Sequence, residues 1–145
     1  MQENSESADR RFTVEEANAM LPLVRSIVED ICDVFQRVTR RRSDLHKMLR
    51  GKSKGTGPFF DDETAESRAD LQEEYDQIWE YREELEALGA LLRNPEDGQV
   101  EFPAEVLGQP CYLCWQRGDA AIRYYRLADS ASSERLLLPA LQDAP

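Results

Sequence analysis

The chain has 145 residues, with 18 Lys and Arg set against 29 Asp and Glu for a formal net charge of −11. That length bounds it to one domain with a modest core and little room for a separate substrate domain. The acidic balance argues against general affinity for nucleic acid or anionic membrane, because the summed field repels polyanions.

Met1 to Arg11 is polar and charged, reads as a disordered, solvated tail, and lacks the apolar centre of a secretory signal. Thr13-Val-Glu-Glu16 has the capping-box spacing, in which the hydroxyl accepts from the amide three residues on and that residue's carboxylate returns to the threonine amide. A short N-terminal helix is expected from there to Leu21. Pro22 should end it, lacking the amide proton that an uninterrupted helix needs, and then open the next helix in its first turn.

From Pro22 to Arg50, Val24, Ile31, Val38 and Leu45 recur every seventh residue. Ile27, Val34, Arg41 and Met48 form the companion seam, with Val28, Phe35 and Leu49 widening it. A helix of about 29 residues reaches about 43 Å and requires a partner alongside. The stretch from Asp62 to Leu92 supplies one: Leu71, Ile78, Leu85 and Leu92 repeat at the same interval, with Tyr75, Trp79, Tyr81 and Leu88 nearby. Gly51 to Gly57 separates the two, so a long antiparallel helical hairpin is expected.

Asn94 to Gly98 should end this helix, since Pro95 cannot continue the hydrogen-bond ladder. The period then changes to two: Val100 and Phe102, then Cys111, Leu113 and Trp115, then Ile122, Tyr124 and Arg126 each alternate with their neighbours. Three strands joined by turns at Leu107 to Pro110 and Arg117 to Asp119 predict a small antiparallel meander leaning one face on the helices. The fold expected is mainly α, of α+β type, with one domain over 12–128 and a loosely ordered tail over 129–145 in which Leu136-Leu-Leu-Pro139 could dock as an apolar clip.

Several clusters invite a functional reading. Arg40, Arg41, Arg42, Lys47 and Arg50 crowd the end of the second helix, and guanidinium forks bind phosphate oxygens in pairs. In an antiparallel hairpin the same cations lie beside Asp70, Glu73, Glu74 and Asp76, so ion pairing within the hairpin is the favoured explanation; Arg41 falls in the apolar seam and must be paired or reach outward. Cys111-Tyr-Leu-Cys114 has the spacing of half a zinc site, but no second pair exists, and residues three apart on a strand point to opposite faces. Buried structural cysteines are expected, with no metal and no cofactor. Three cysteines without a disulfide-rich pattern suit a reducing compartment, hence a cytoplasmic protein, and no run of about 18 apolar residues predicts a membrane span. His46 lacks partners for nucleophilic catalysis and reads as a polar-face residue. A crevice between sheet and helices, with Asn18, Arg25, Trp115 and Tyr124 as its polar and aromatic wall, is the remaining small-molecule candidate.

Phe12 to Arg25, Glu86-Ala-Leu-Gly89, Gly98-Gln-Val-Glu-Phe-Pro103 and Tyr112-Leu-Cys-Trp115 together resemble an uncharacterised prokaryotic family, the domain of unknown function numbered 2203. The resemblance covers about residues 12 to 126 and implies a shared fold, with Cys114 in the family pattern and Cys111 outside it, and no established activity. Relatives end the last strand in Tyr-Tyr-His, followed by a His-Glu-Gly-Phe segment and a Gly-Arg. Here Tyr124-Tyr125-Arg126 replaces the first histidine and the stretch from Asp129 to Arg135 the rest, so a role for those histidines does not carry over; Arg135 alone matches. The sequence therefore points to a non-enzymatic interaction module, paired with itself or another protein, with the crevice and the basic tip as alternative binding sites.

Overall fold

The computed structural model describes residues 10–50, 58–129 and 134–142. Its elements, in chain order, are α1 (Val14–Arg50), α2 (Pro58–Leu88), β1 (Leu91–Asn94), β2 (Gln99–Val106), β3 (Gln109–Gln116), β4 (Tyr124–Leu127), β5 (Leu136–Leu137) and a short α3 (Pro139–Gln142). The two long helices pack together and a five-stranded antiparallel sheet, in the order β1-β2-β3-β4-β5, lies against them. The expected tail over 1–11 falls largely outside the described residues, as does the Gly51–Gly57 connection.

The capping box forms as read: Thr13 N donates to Glu16 Oε1 at 2.9 Å and Glu16 N to Thr13 Oγ1 at 3.0 Å. The break expected at Pro22 does not occur. α1 runs through Pro22 as one helix of 37 residues, about 55 Å long, so the separate N-terminal helix is absent. Ala17, Leu21, Val24 and Val28 are buried on one continuous stripe spanning the proline, and Pro22 itself faces outward. Burial of several apolar side chains, each worth about 1.5–3 kcal/mol, outweighs the roughly 3 kcal/mol that an interior proline costs a helix.

The strand count also departs from three. α2 stops at Leu88 because Gly89 takes a left-handed φ of 98°, and the Phe12 ring lies 2.9 Å from where a Cβ would stand there. Leu91 to Asn94, expected as the helix end, instead pair with β2 as a hairpin whose turn holds Pro95 and Gly98. The heptad position of Leu92 does not discriminate, since one more apolar residue at the right interval fits either element. At the other edge the apolar clip is real: Leu136 and Leu137 pair with β4, and Leu138 is buried with its amide bonded to Arg123 O at 2.9 Å.

Register sorts the sheet into two faces. Val100, Phe102, Cys111, Leu113, Trp115 and Tyr125 point at the helices and are buried. Glu101, Cys114, Tyr124 and Leu137 form one cross-strand row on the other face, with Pro103, Tyr112 and Arg126 forming the next. The main core takes α1 residues from Ala17 to Cys32 and, on α2, Leu85 with Ile78, Tyr81 and Leu88 at its margin. Beyond Cys32 the hairpin continues as a two-helix arm in which Val34, Val38 and Leu45 are buried without the sheet.

Gly98 marks a close approach of the β1–β2 turn to α1: a Cβ there would stand 2.7 Å from Arg117 Cβ and 2.9 Å from Val28 Cγ1. Gly108 shares the left-handed φ but has open space around it. Both alanine substitutions should lose about 1 kcal/mol to backbone strain, and Gly98→Ala a further 1–3 kcal/mol to the clash. Urea unfolding of the two variants compares them, and equal losses would refute the close approach.

Candidate functional site

Three regions carry the residues that the sequence singled out. At the hairpin arm, Arg41 Nε donates to Glu74 Oε1 at 2.8 Å and Arg41 Nη1 to Asp70 Oδ2 at 3.4 Å, while Arg37 stands 3.7 Å from Glu74 Oε2. Glu74 is buried, so its charge is matched where water is scarce, and its hydrogen bond is the main cause that raises the Arg41 pKa above the ordinary guanidinium value. Arg40, Arg42, Lys47 and Arg50 are exposed and make no such pair among the described residues. The structure thus divides the basic segment: Arg41 serves the hairpin, and four cations face solvent.

The residues of the expected crevice do not converge on one space. Asn18 Oδ1 accepts from Ile122 N at 2.9 Å, and Arg25 Nη2 donates to Ala120 O at 2.7 Å and to Asp119 O at 3.3 Å. Trp115 is buried and its Nε1 donates to Asp119 O at 3.0 Å. These bonds tie the loop after β3 to α1, and Asp119 of the Arg-Gly-Asp tripeptide is spent in the same way, its Oδ2 accepting from Gln116 N at 3.1 Å. Tyr124 lies on the outer sheet face, 40% exposed and away from the others. A groove of about 810 Å³ does open beside Asn18, walled by Val14, Glu15, Val106, Ile122, Leu138 and Leu141, and a smaller one of about 530 Å³ beside Arg25 and Trp115.

The third region was not foreseen as a unit. On the outer sheet face Glu101 is buried and takes three charged hydrogen bonds: from Arg126 Nε at 2.7 Å, from Arg126 Nη2 at 2.9 Å and from Arg93 Nε at 2.7 Å. Burial pushes its pKa upward, but the two guanidiniums outweigh this and hold the carboxyl below its usual range. Both guanidinium carbons also lie against the Tyr112 ring, 5.3 Å from its centroid for Arg93 and 4.7 Å for Arg126. Cys114 Sγ sits 3.8 Å from Glu101 Oε2, and burial together with that carboxylate pushes its thiol up to about 11. The sequence offered a partial signal, a glutamate in an alternating strand, but its two partners come from β1 and β4, and β1 was read as helix.

All three cysteines are buried and free; Cys111 and Cys114 point to opposite faces as the strand period requires. Burial raises the Cys32 and Cys111 thiols as well. Among the described residues no group of His, Cys, Asp and Glu is placed to hold a metal ion, and no helix is long and apolar enough to cross a membrane.

The architecture is that of an α+β protein: a helical hairpin braced on one side by an antiparallel sheet. The family model described as an uncharacterized conserved protein, DUF2203, matches residues 10–138, and the chain belongs to that family. No curated protein and no solved structure matches it.

Two outcomes follow from this geometry. Glu101, with its folded pKa depressed, adds stability that is present above its unfolded value near 4.3 and lost as pH falls through the folded value. Glu101→Gln should therefore lower stability at neutral pH, on the order of 3 kcal/mol, and flatten the acid limb of the unfolding curve; an unchanged acid limb would contradict the assignment. The thiols should resist alkylation in the native protein at pH 8 and react fully once it is unfolded, as thiol counting against time would show.

Proposed function

We propose that this chain is a non-enzymatic interaction module that pairs with a second copy of itself through the open face of its helical hairpin. The observation that carries this reading is Trp79, 58% exposed in the middle of a long helix, with Tyr75 39% and Leu49 36% exposed along the same hairpin. Leu71, Tyr75 and Ile78 recur at i, i+4 and i+7 and so share a stripe. At one end of it Leu71 lines a shallow groove with Leu45, Leu49 and Arg42; at the other, Tyr75, Ile78 and Trp79 line one with Leu92 and Pro95 beside the sheet edge. Large aromatics held in the open cost solvation, and aromatic residues are favoured at the centre of protein interfaces.

Charge argues for a second copy as the occupant. Arg40, Arg42, Lys47 and Arg50 are exposed near the tip, whereas Asp76, Glu80 and Glu83 are exposed around Trp79. A two-fold axis across the arms, with the sheets at opposite ends, carries the cations of one hairpin towards the carboxylates of the other and encloses both aromatic stripes in a four-helix arrangement. The structural use of Asn18, Arg25 and Trp115, whose polar groups bond to the loop after β3, supports a role that does not depend on the crevice. A cytoplasmic setting fits the reduced, buried cysteines.

A second reading rests on the groove of about 810 Å³ beside Asn18, whose size and apolar wall suit a small molecule. Binding of phosphate or nucleic acid at the basic tip draws less support, because Arg41 is committed to Glu74 and Asp70 and the whole chain is strongly acidic. Sedimentation velocity at micromolar concentration should give twice the monomer mass. Trp79→Glu should weaken the pairing by at least about a hundredfold, as expected for a buried aromatic anchor, and Trp79→Phe should largely retain it. A monomer throughout, or a dimer indifferent to Trp79→Glu, would contradict the reading.

A further inference from the structure

We propose that the outer face of the sheet is an oxyanion site, in which Arg93 and Arg126, held apart from solvent disorder by Glu101, bind the phosphate group of a small phosphate monoester. The site shares Arg93 with the edge of the groove that holds Tyr75, Ile78 and Trp79, whereas Glu101, Tyr112 and Arg126 lie on the sheet outside that groove.

The argument begins with donors. Among the described residues, both guanidiniums hydrogen-bond to Glu101, through Arg93 Nε and through Arg126 Nε and Nη2. Among the described residues, no hydrogen bond engages the Nη groups of Arg93 or Nη1 of Arg126. Because Arg93 Nε and Arg126 Nη2 meet at the same oxygen, Glu101 Oε1, the two forks are fixed close together rather than merely near each other in sequence. The Tyr112 ring then restricts both planes, so little side-chain entropy remains to be lost on binding.

Charge points the same way. One carboxylate is shared by two guanidiniums, leaving a net positive cluster in a chain of net charge −11, with Arg135 close enough to Cys114 to act on its thiol. Two cations pinned against one another repel, and an anion received between their free faces relieves that repulsion. The side chains are accessible for it: Arg93 is 41% and Arg126 22% exposed, while Glu101 beneath them is 9% exposed. A phosphate, with three terminal oxygens, uses the donors of two separate forks more fully than a carboxylate with two. Exposed Tyr124, in the same cross-strand row as Glu101 and Cys114, offers a ring on which an aromatic or sugar substituent of a monoester could rest. Cys114 takes no chemical part, since its thiol stays protonated.

The test is a titration of ¹⁵N-labelled full-length protein with inorganic phosphate in the millimolar range at neutral pH, with sodium chloride at equal ionic strength as control. Saturable shifts should appear at the Nε–Hε signals of Arg93 and Arg126 and at the amides of Tyr112 and Cys114. Phenyl phosphate should bind at least as tightly as phosphate, and acetate more weakly. Arg93→Gln leaves the Arg126–Glu101 pair in place and should keep the fold, verified by its melting curve, while weakening phosphate by about tenfold or more, the effect of losing one charged fork. Shifts reproduced by chloride, acetate binding equal to phosphate, or an Arg93→Gln protein that binds as the native one does would each overturn the site. Arg40→Gln, at the hairpin tip, should change nothing; loss of binding there would move the anion to the tip and refute the proposal.

Discussion

The apolar stripe of α1 is longer than anything else in the chain can cover. Over about 55 Å of helix it asks for a partner on every turn, and the sheet, with strands about 4.8 Å apart, spans roughly 20 Å. The proximal half of α1, from Ala17 to Cys32, therefore shares a core with α2 and the sheet, whereas the distal half has α2 alone. Most other features follow from this division. Pro22 is carried inside the helix because it lies in the half that the sheet holds. The arm has to supplement its thin apolar seam with the Arg41–Glu74 pair, and the aromatic residues of α2 remain in the open beyond the sheet edge.

The arrangement of charge answers a second constraint. A chain this acidic disfavours its own compaction, and four of its arginines flank the two carboxylates that have lost most of their water. Arg41 and Arg37 flank buried Glu74 in the arm; Arg93 and Arg126 flank buried Glu101 on the sheet. In each case two guanidiniums share one carboxylate, which fixes the geometry of the cations as well as the anion. The difference lies in what surrounds them. In the arm the pair joins two helices, while on the sheet it lies on the face turned away from them, with Arg93 41% and Arg126 22% exposed.

How much of this was legible in the residues varied with the kind of signal. The capping box at Thr13, the hairpin, the opposite orientation of Cys111 and Cys114 and the placement of Arg41 against α2 carboxylates all rest on periodicity within or between neighbouring elements, and all were readable. At Pro22 the local preference of proline points to a break, but the burial of residues on both sides decides. β1 was missed because Leu92 continues the heptad by coincidence, and what ends α2 is the backbone turn at Gly89, against which Phe12 closes from far away in sequence. The Glu101 cluster was hidden for a related reason: its arginines sit on strands flanking β2 and β3, so no spacing in the sequence joins them. Asn18, Arg25 and Trp115 read in the sequence as the wall of a crevice; their partners in the structure are backbone groups of one loop, which only the folded chain reveals.

The division of α1 into a sheet-held half and an arm covered by a second copy is tested most directly by residue-resolved hydrogen exchange measured across protein concentrations. Amides from Ala17 to Cys32 should exchange at rates independent of concentration, close to those of global unfolding, while those from Val34 to Leu49 should become slower as concentration rises. Protection of the arm that equals that of the proximal half at every dilution would contradict the account.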